Sequence, residues 1–180
     1  MTRSFWIKAH LIAASFFAPA LIIIATSGGL YLIDIKGSVE ETSVPVPADV
    51  RLDLNSSSIE QDVRSLFEKL NIEHDFEYLR AGGNTLTTRP TSRTHYVLQV
   101  SADGVDVSRN VPSLQKRMIE LHKGHGPLLF KDFQKFMAVA LLFVLLSGAW
   151  LGLSSKGLRN NTMATIGGGL VVFLGLVLLA

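Results

Sequence analysis

Three long apolar runs limit what this chain can become more than any other feature. The first extends from about Trp6 to Ile33, carries Lys8 and His10 near its start, and has no further charged residue before Asp34. The second covers about Phe136 to Leu153 and the third about Met163 to Ala180. A helix needs about twenty apolar residues to cross the hydrocarbon of a bilayer, since each residue rises only about 1.5 Å. Leu11 to Ile33 meets that length, and the other two runs sit near its short limit.

A cleaved signal peptide is the rival explanation of the first run. Its apolar core would be shorter, and a small-x-small cleavage site would follow. This run instead ends in Tyr31-Leu32-Ile33-Asp34, which favours a retained anchor. Pro19 removes one backbone donor and is expected to kink the helix.

Basic residues in short flanks tend to stay cytoplasmic. Arg3 and Lys8 flank the first run, while Lys156 and Arg159 lie between the second and third. Both predict an N-terminus inside the cell and a middle segment and C-terminus outside it: a bacterial inner-membrane protein with a periplasmic domain. Trp6, Tyr31 and Trp150 fall near the expected interfaces, as aromatic anchors do. Gly148-x-x-x-Gly152 and Ala164-x-x-x-Gly168 permit close helix packing. The third run has no ionisable side chain, so packing and anchoring are its expected jobs.

The middle of the chain has an ordinary polar composition, although the whole is 48% hydrophobic with a mean hydropathy of +0.33. The net charge of +2 comes from basic residues that are scattered or beside the apolar runs. No basic stripe forms, which argues against a nucleic-acid partner. There are no cysteines, so disulfides, thiolate metal sites and thiol catalysis are excluded. G-x-S-x-G, phosphate-loop and H-E-x-x-H signatures are absent as well.

Lys36 to about Asn55, with Pro45 and Pro47, reads as an extended linker. Ser57 followed by Glu60 signals a helix start, and Ile59, Val63, Leu66, Phe67 and Leu70 give that helix one apolar face. Strand-like runs follow at Phe76 to Arg80, Thr85 to Thr88, His95 to Val100 and Val105 to Ser108. Gly82-Gly83-Asn84 and Asp103-Gly104 mark turns. A second helix is expected from about Ser113 to Lys123, after Pro112. The fold class is therefore membrane α-helical, with three spans and an inserted small α+β domain. Its parts are a first span in residues 1–35, the domain with its linker in 36–130, and two spans in 131–180.

Certain stretches resemble PepSY-associated transmembrane proteins. These are Trp6-Ile7-Lys8-Ala9-His10 running on to Thr26-Ser27-Gly28-Gly29-Leu30, then Leu121-His122-Lys123-Gly124-His125-Gly126-Pro127, and finally Leu146-Ser147-Gly148-Ala149-Trp150. The helix and strands between them look like a PepSY domain. The resemblance implies two very different jobs. Larger relatives are haem-bearing reductases that pass electrons across the membrane to ferric siderophores. Soluble PepSY domains are non-catalytic modules, including inhibitory segments of peptidases. This chain has fewer spans than the reductases, which makes an accessory role more fitting and leaves catalysis open.

Three of the five histidines lie at expected membrane boundaries, where ionisable groups are costly and so are functional candidates. His10 reads either as an interfacial residue reaching toward headgroups or as an axial ligand to haem b. His122 and His125 read either as a polar junction or as ligands to haem iron. His10 lies more than twenty residues before the outer end of the first helix, roughly 30 Å from His122 at the outer surface, whereas two axial nitrogens are only about 4 Å apart. Each site thus needs a second chain, as homo-oligomer or as part of a larger membrane complex in the bilayer. The competing function is a regulatory or binding module that stabilises or recruits a membrane partner. His74 reads as part of an exposed loop, Glu73-His74-Asp75, in which adjacent side chains rarely converge on one ion. His95 begins a strand.

Overall fold

The structure, a computed structural model, describes residues 2–179. Three of its helices are long and apolar enough to cross a membrane: α1 (Arg3–Leu32), α4 (Leu128–Leu153) and α5 (Arg159–Leu179). Between α1 and α4 lie β1 (Val39–Val44), α2 (Ile59–Lys69), β2 (Tyr78–Gly82), β3 (Thr85–Arg89), β4 (His95–Val100), β5 (Val105–Pro112) and α3 (Leu114–His122). Two compact units result, Met1–Leu21 with Lys135–Ala180, and Ile22–Gln134.

In the second unit the five strands form one antiparallel sheet in the order β1-β5-β4-β3-β2. Strands β2 to β5 form a meander, because two tight turns return the chain beside itself. Gly83 makes the first turn at φ +59, in the left-handed region that glycine enters without a Cβ clash. In the second, Ser101 N–H donates to Gly104 O at 2.8 Å, so the bond encloses Ala102 and Asp103 rather than Asp103-Gly104.

Helix α2 covers one face of the sheet. Val63, Leu66 and Phe67 are buried with Phe76, Leu86, Tyr96, Leu98, Val105 and Val107, as the helical spacing predicts. Its start differs from the expected capping box. Ser58, not Ser57, is the N-cap, and its hydroxyl bonds Asp62 rather than a backbone N–H.

The linker also differs from its expected form. Val39–Val44 pairs with β5 from Val39↔Pro112 to Val44↔Val107, and Val46, Val50, Leu52 and Leu54 pack on the core. Glu40 and Glu41 disguise this strand in the sequence, since charges suit an edge that must not recruit another strand. Helix α4 begins at Leu128, well before the expected Phe136. The Glu77 carboxylate accepts from Leu128 N–H at 2.7 Å, holding a negative charge at the helix start where the dipole favours it. Helix α1 runs unbroken through Pro19.

Helices α1, α2 and α3 all end in the same reversal. In each, the residue two beyond the helix cap donates its N–H five residues back: Ile35 to Leu30 O (3.0 Å), Ile72 to Phe67 O (2.8 Å) and His125 to Glu120 O (2.9 Å). The residue just before it is left-handed: Asp34 (φ 62), Asn71 (φ 54) and Gly124 (φ 75). These are Schellman motifs, which satisfy terminal carbonyls and turn the chain sharply.

Phe67 is only 2% exposed and meets Phe76 and Tyr96 ring to ring. Truncating a buried Phe to Ala costs about 3–5 kcal/mol, a large share of what a domain this small holds. We expect Phe67→Ala to make residues 36–130 protease-sensitive while the chain still fractionates with membranes. Undiminished resistance in limited proteolysis would contradict the packing described.

Candidate functional site

In the second unit, β1–β5 pairing carries the end of α1 to the start of α3. Ser113 N–H donates to Ser38 O at 2.9 Å, and Ser38 N–H donates to Ser113 Oγ at 3.1 Å. Gly37 lies between them at φ +68, where an added Cβ would sit 2.6 Å from the Lys116 amide nitrogen. Only glycine fits this approach. Helix α3 is thus fixed beside the last turns of α1, and its final residue, His122, reaches across.

The His122 ring lies on Ser27 and Gly28. Its Nδ1 is 3.0 Å from Ile24 O and 3.3 Å from Ser27 Oγ. An added Cβ at Gly28 would come within 3.0 Å of His122 Cε1. Ser27, only 1% exposed, donates its own hydroxyl to Ile24 O at 2.9 Å. A carbonyl can only accept, so the Nδ1 of the neutral imidazole carries the proton and Nε2 keeps its lone pair. Nε2 has no hydrogen-bond partner among the described residues.

The first unit repeats this arrangement with different residues. Helices α1 and α4 pack there through Trp6, whose ring lies 6.3 Å from Phe143 and 5.5 Å from Trp150. One turn beyond Trp6, His10 Nδ1 is 2.8 Å from Ser147 Oγ, and a Cβ at Gly148 would lie 3.3 Å from His10 Cε1. Ser147 Oγ donates to Val144 O at 3.2 Å. Its proton is therefore committed, and it accepts from the histidine. His10 is half-buried, with its Nδ1 against α4. Both histidines hold a protonated Nδ1 against a small hydroxyl or carbonyl and leave Nε2 able to bind, an orientation typical of metal-ligating imidazoles.

His125 is set apart from His122 by the Schellman turn. Its Nδ1 donates to Glu120 Oε2 at 2.7 Å, and Thr91 Oγ1 donates to the same oxygen at 2.8 Å. Lys116 Nζ is 3.4 Å from the other oxygen. Buried Arg89 joins only through Thr91, at 2.9 Å. Burial pushes the Glu120 carboxyl up, but the hydrogen bonds from His125 and Thr91 and the charge of Lys116 outweigh it and hold the group below its usual range. His125 Nδ1 therefore serves a buried carboxylate of α3, which fits the junction alternative and, like the supports of His10 and His122, leaves Nε2 without a hydrogen bond among the described residues.

His74 is not the exposed loop residue its neighbours suggest. It is half-buried beside Phe67, Phe76 and Tyr96, with Nε2 3.2 Å from Thr88 Oγ1. Asp75 turns away to Arg64 at 3.0 Å, so the Glu73-His74-Asp75 segment does not converge on one point. His95 is buried, and its Nδ1 donates to Arg93 O at 3.0 Å. Burial is the chief cause that lowers both rings below the ordinary histidine range.

The serine–glycine dipeptides enter the sequence reading only through the resemblance and, for Gly148, as a helix-packing residue; their role as histidine supports was missed. The recurring Ser-Gly dipeptide inside two otherwise apolar runs was the available signal. Of the glycines read as packing residues, Gly152 does meet Thr162, 2.5 Å from an added Cβ, whereas Gly168 has no described neighbour within 4 Å.

The two imidazoles suit an iron porphyrin in their chemistry. Their surroundings are incomplete for one. The cleft at His122, lined by Ser27, Gly28, Tyr31, Ile119, His122 and Lys123, measures about 220 Å³, less than the roughly 300–1,000 Å³ of ordinary ligand sites. No group of three or more His, Cys, Asp or Glu side chains converges as a metal site among the described residues. Each histidine offers one imidazole nitrogen for such a group. Comparison of the chain with protein-family models, with curated proteins and with solved structures finds no match.

His74, His95 and Glu120 all bind protons more weakly folded than unfolded. Their stabilisation is present above the unfolded values, near 6.5 for histidine and 4.5 for Glu120. It is lost as pH falls through the lowered folded ones. The domain should unfold at lower denaturant concentration at pH 5 than at pH 7.5, and lower still near pH 4. An unchanged midpoint, followed by tyrosine fluorescence or protease susceptibility, would contradict this sign.

Proposed function

We propose that this is a PepSY-type protein of a bacterial inner membrane that serves as a haem b-binding or accessory subunit of a transmembrane redox system of the iron- or siderophore-reducing kind. The observation that carries the reading is the repeated histidine support: His10 on Ser147 and Gly148, His122 on Ser27 and Gly28, each with Nε2 unengaged. His10 and His122 would each give one axial nitrogen, and the haem would supply one-electron chemistry. The chain's own contribution is to fix the ring tautomer and hold Nδ1. A second ligand comes from another copy of this chain or from a partner subunit. His125, whose Nδ1 is held by Glu120, is the alternative ligand to His122 at that end of the helix.

Three helices of membrane-spanning length support bilayer association. Arg3 and Lys8 at one flank, and Lys156 and Arg159 between α4 and α5, support an N-terminus in the cytoplasm and a periplasmic domain. The incompleteness of each site within one chain favours a second reading, a non-catalytic module that stabilises or recruits a membrane partner.

A reporter active only after export, fused after Asn55, should be active; activity of a cytoplasm-only reporter there would reverse the orientation. The protein purified from haem-replete cells should show the absorption bands of haem b on oxidation and reduction. Because the two histidines belong to separate supports, His122→Ala should remove one spectral component and His10→Ala another. A preparation colourless both alone and with its native partners would discard the redox reading and leave the recruiting module.

A further inference from the structure

We infer that the rim of the cleft beside the end of α1 binds the phosphate of an anionic phospholipid, with Lys123, which lines the cleft, and Lys36, just outside it, as cationic partners and Tyr31 as their support. The inference rests on bilayer association and needs no haem.

Two ammonium groups from different elements each contact the same ring. Lys123, the C-cap of α3, holds Nζ 5.0 Å from the Tyr31 ring centre, and Lys36, beyond the end of α1, holds its Nζ at 5.2 Å. Such cation–π contacts position a lysine while leaving its three donors available. Asp34 offsets part of the charge, pairing with Lys36 at 2.5 Å, but both side chains are largely exposed. Lys123 has no acidic partner among the described residues, and none of the six residues lining the cleft is acidic.

The cleft's surroundings fit a lipid better than a free anion. Its lining includes Ser27, Gly28 and Ile119, and Ser27 has already committed its hydroxyl to Ile24 O. Tyr31 is followed by Leu32, Ile33 and Ile35, which are 84%, 65% and 47% exposed. Water would disfavour that strip, whereas acyl chains would accept it. A cationic rim above an apolar strip, at the end of a helix of membrane-spanning length, matches an anionic headgroup above its chains. The cleft of about 220 Å³ has room for a headgroup, not for a whole amphiphile.

The full chain should be placed in bilayer nanodiscs containing equal amounts of phosphatidylglycerol and phosphatidylcholine, then released for native mass spectrometry. The wild type should retain phosphatidylglycerol in preference. Lys123→Gln and Lys36→Gln should each reduce that preference about fivefold, and together abolish it. Lys69→Gln, on α2, should not change it. Millimolar inorganic phosphate should not displace the lipid, while added salt should weaken its retention. Equal retention of the two lipids, a preference that survives the paired substitution, or displacement by inorganic phosphate would each overturn the proposal.

Discussion

The antiparallel pairing of β1 with β5 is the constraint on which the histidine geometry depends. It fixes Val39 opposite Pro112, so the residues just outside the pair, Ser38 and Ser113, exchange hydrogen bonds. Those bonds set the end of α1 beside the start of α3. Helix α3 is nine residues long, and its last residue then falls against Ser27 and Gly28. A two-residue shift of β1 along β5 would keep the same face inward and still move that meeting point by nearly 7 Å. Sheet register therefore decides whether the imidazole finds its carbonyl.

The two faces of the sheet are held by different forces. Under α2 the contacts are aliphatic and aromatic, and they follow from burial. Under α3 they are polar: Arg89, Thr91, Ser92, His95, Asn110 and Glu120 are all buried, while Ile119 is the one buried apolar residue of that helix. Such a network contributes little unless every member is satisfied, and Arg89 Nε has no partner among the described residues. The element that carries His122 is thus attached by directional bonds, which define one position sharply and tolerate little change of charge.

Much of the architecture was legible in the sequence because it rests on local signals. The apolar runs, the α2 stripe and the turn glycines each announce themselves within a few residues. The features that stayed hidden are non-local. β1 carries glutamates because it is an edge, and only its partner β5 reveals it as a strand. The first turns of α4 hold Lys131, Asp132, Gln134 and Lys135, which a hydropathy window rejects although Glu77 completes their helix start. His74 was misjudged because Glu73 and Asp75 flank it, while its burial comes from Phe67, Phe76 and Tyr96 across the sheet. At the candidate site, His10 and His122 stood out by position. Their serine and glycine supports lie far away in sequence, beyond any spacing rule.

The Ser27–Gly28 step also acts as a gauge of where α1 lies. The imidazole needs a hydroxyl followed by a gap, and along Thr26-Ser27-Gly28-Gly29 only one step offers both. Slip the helix one residue one way and the ring meets Gly28 and Gly29, with space and a backbone carbonyl but no hydroxyl. Slip it the other way and it meets Thr26 and Ser27, with oxygen but a Cβ in the gap. Each slip also rotates the helix by about 100°. His122 therefore reads both the height and the rotation of α1 to a single residue.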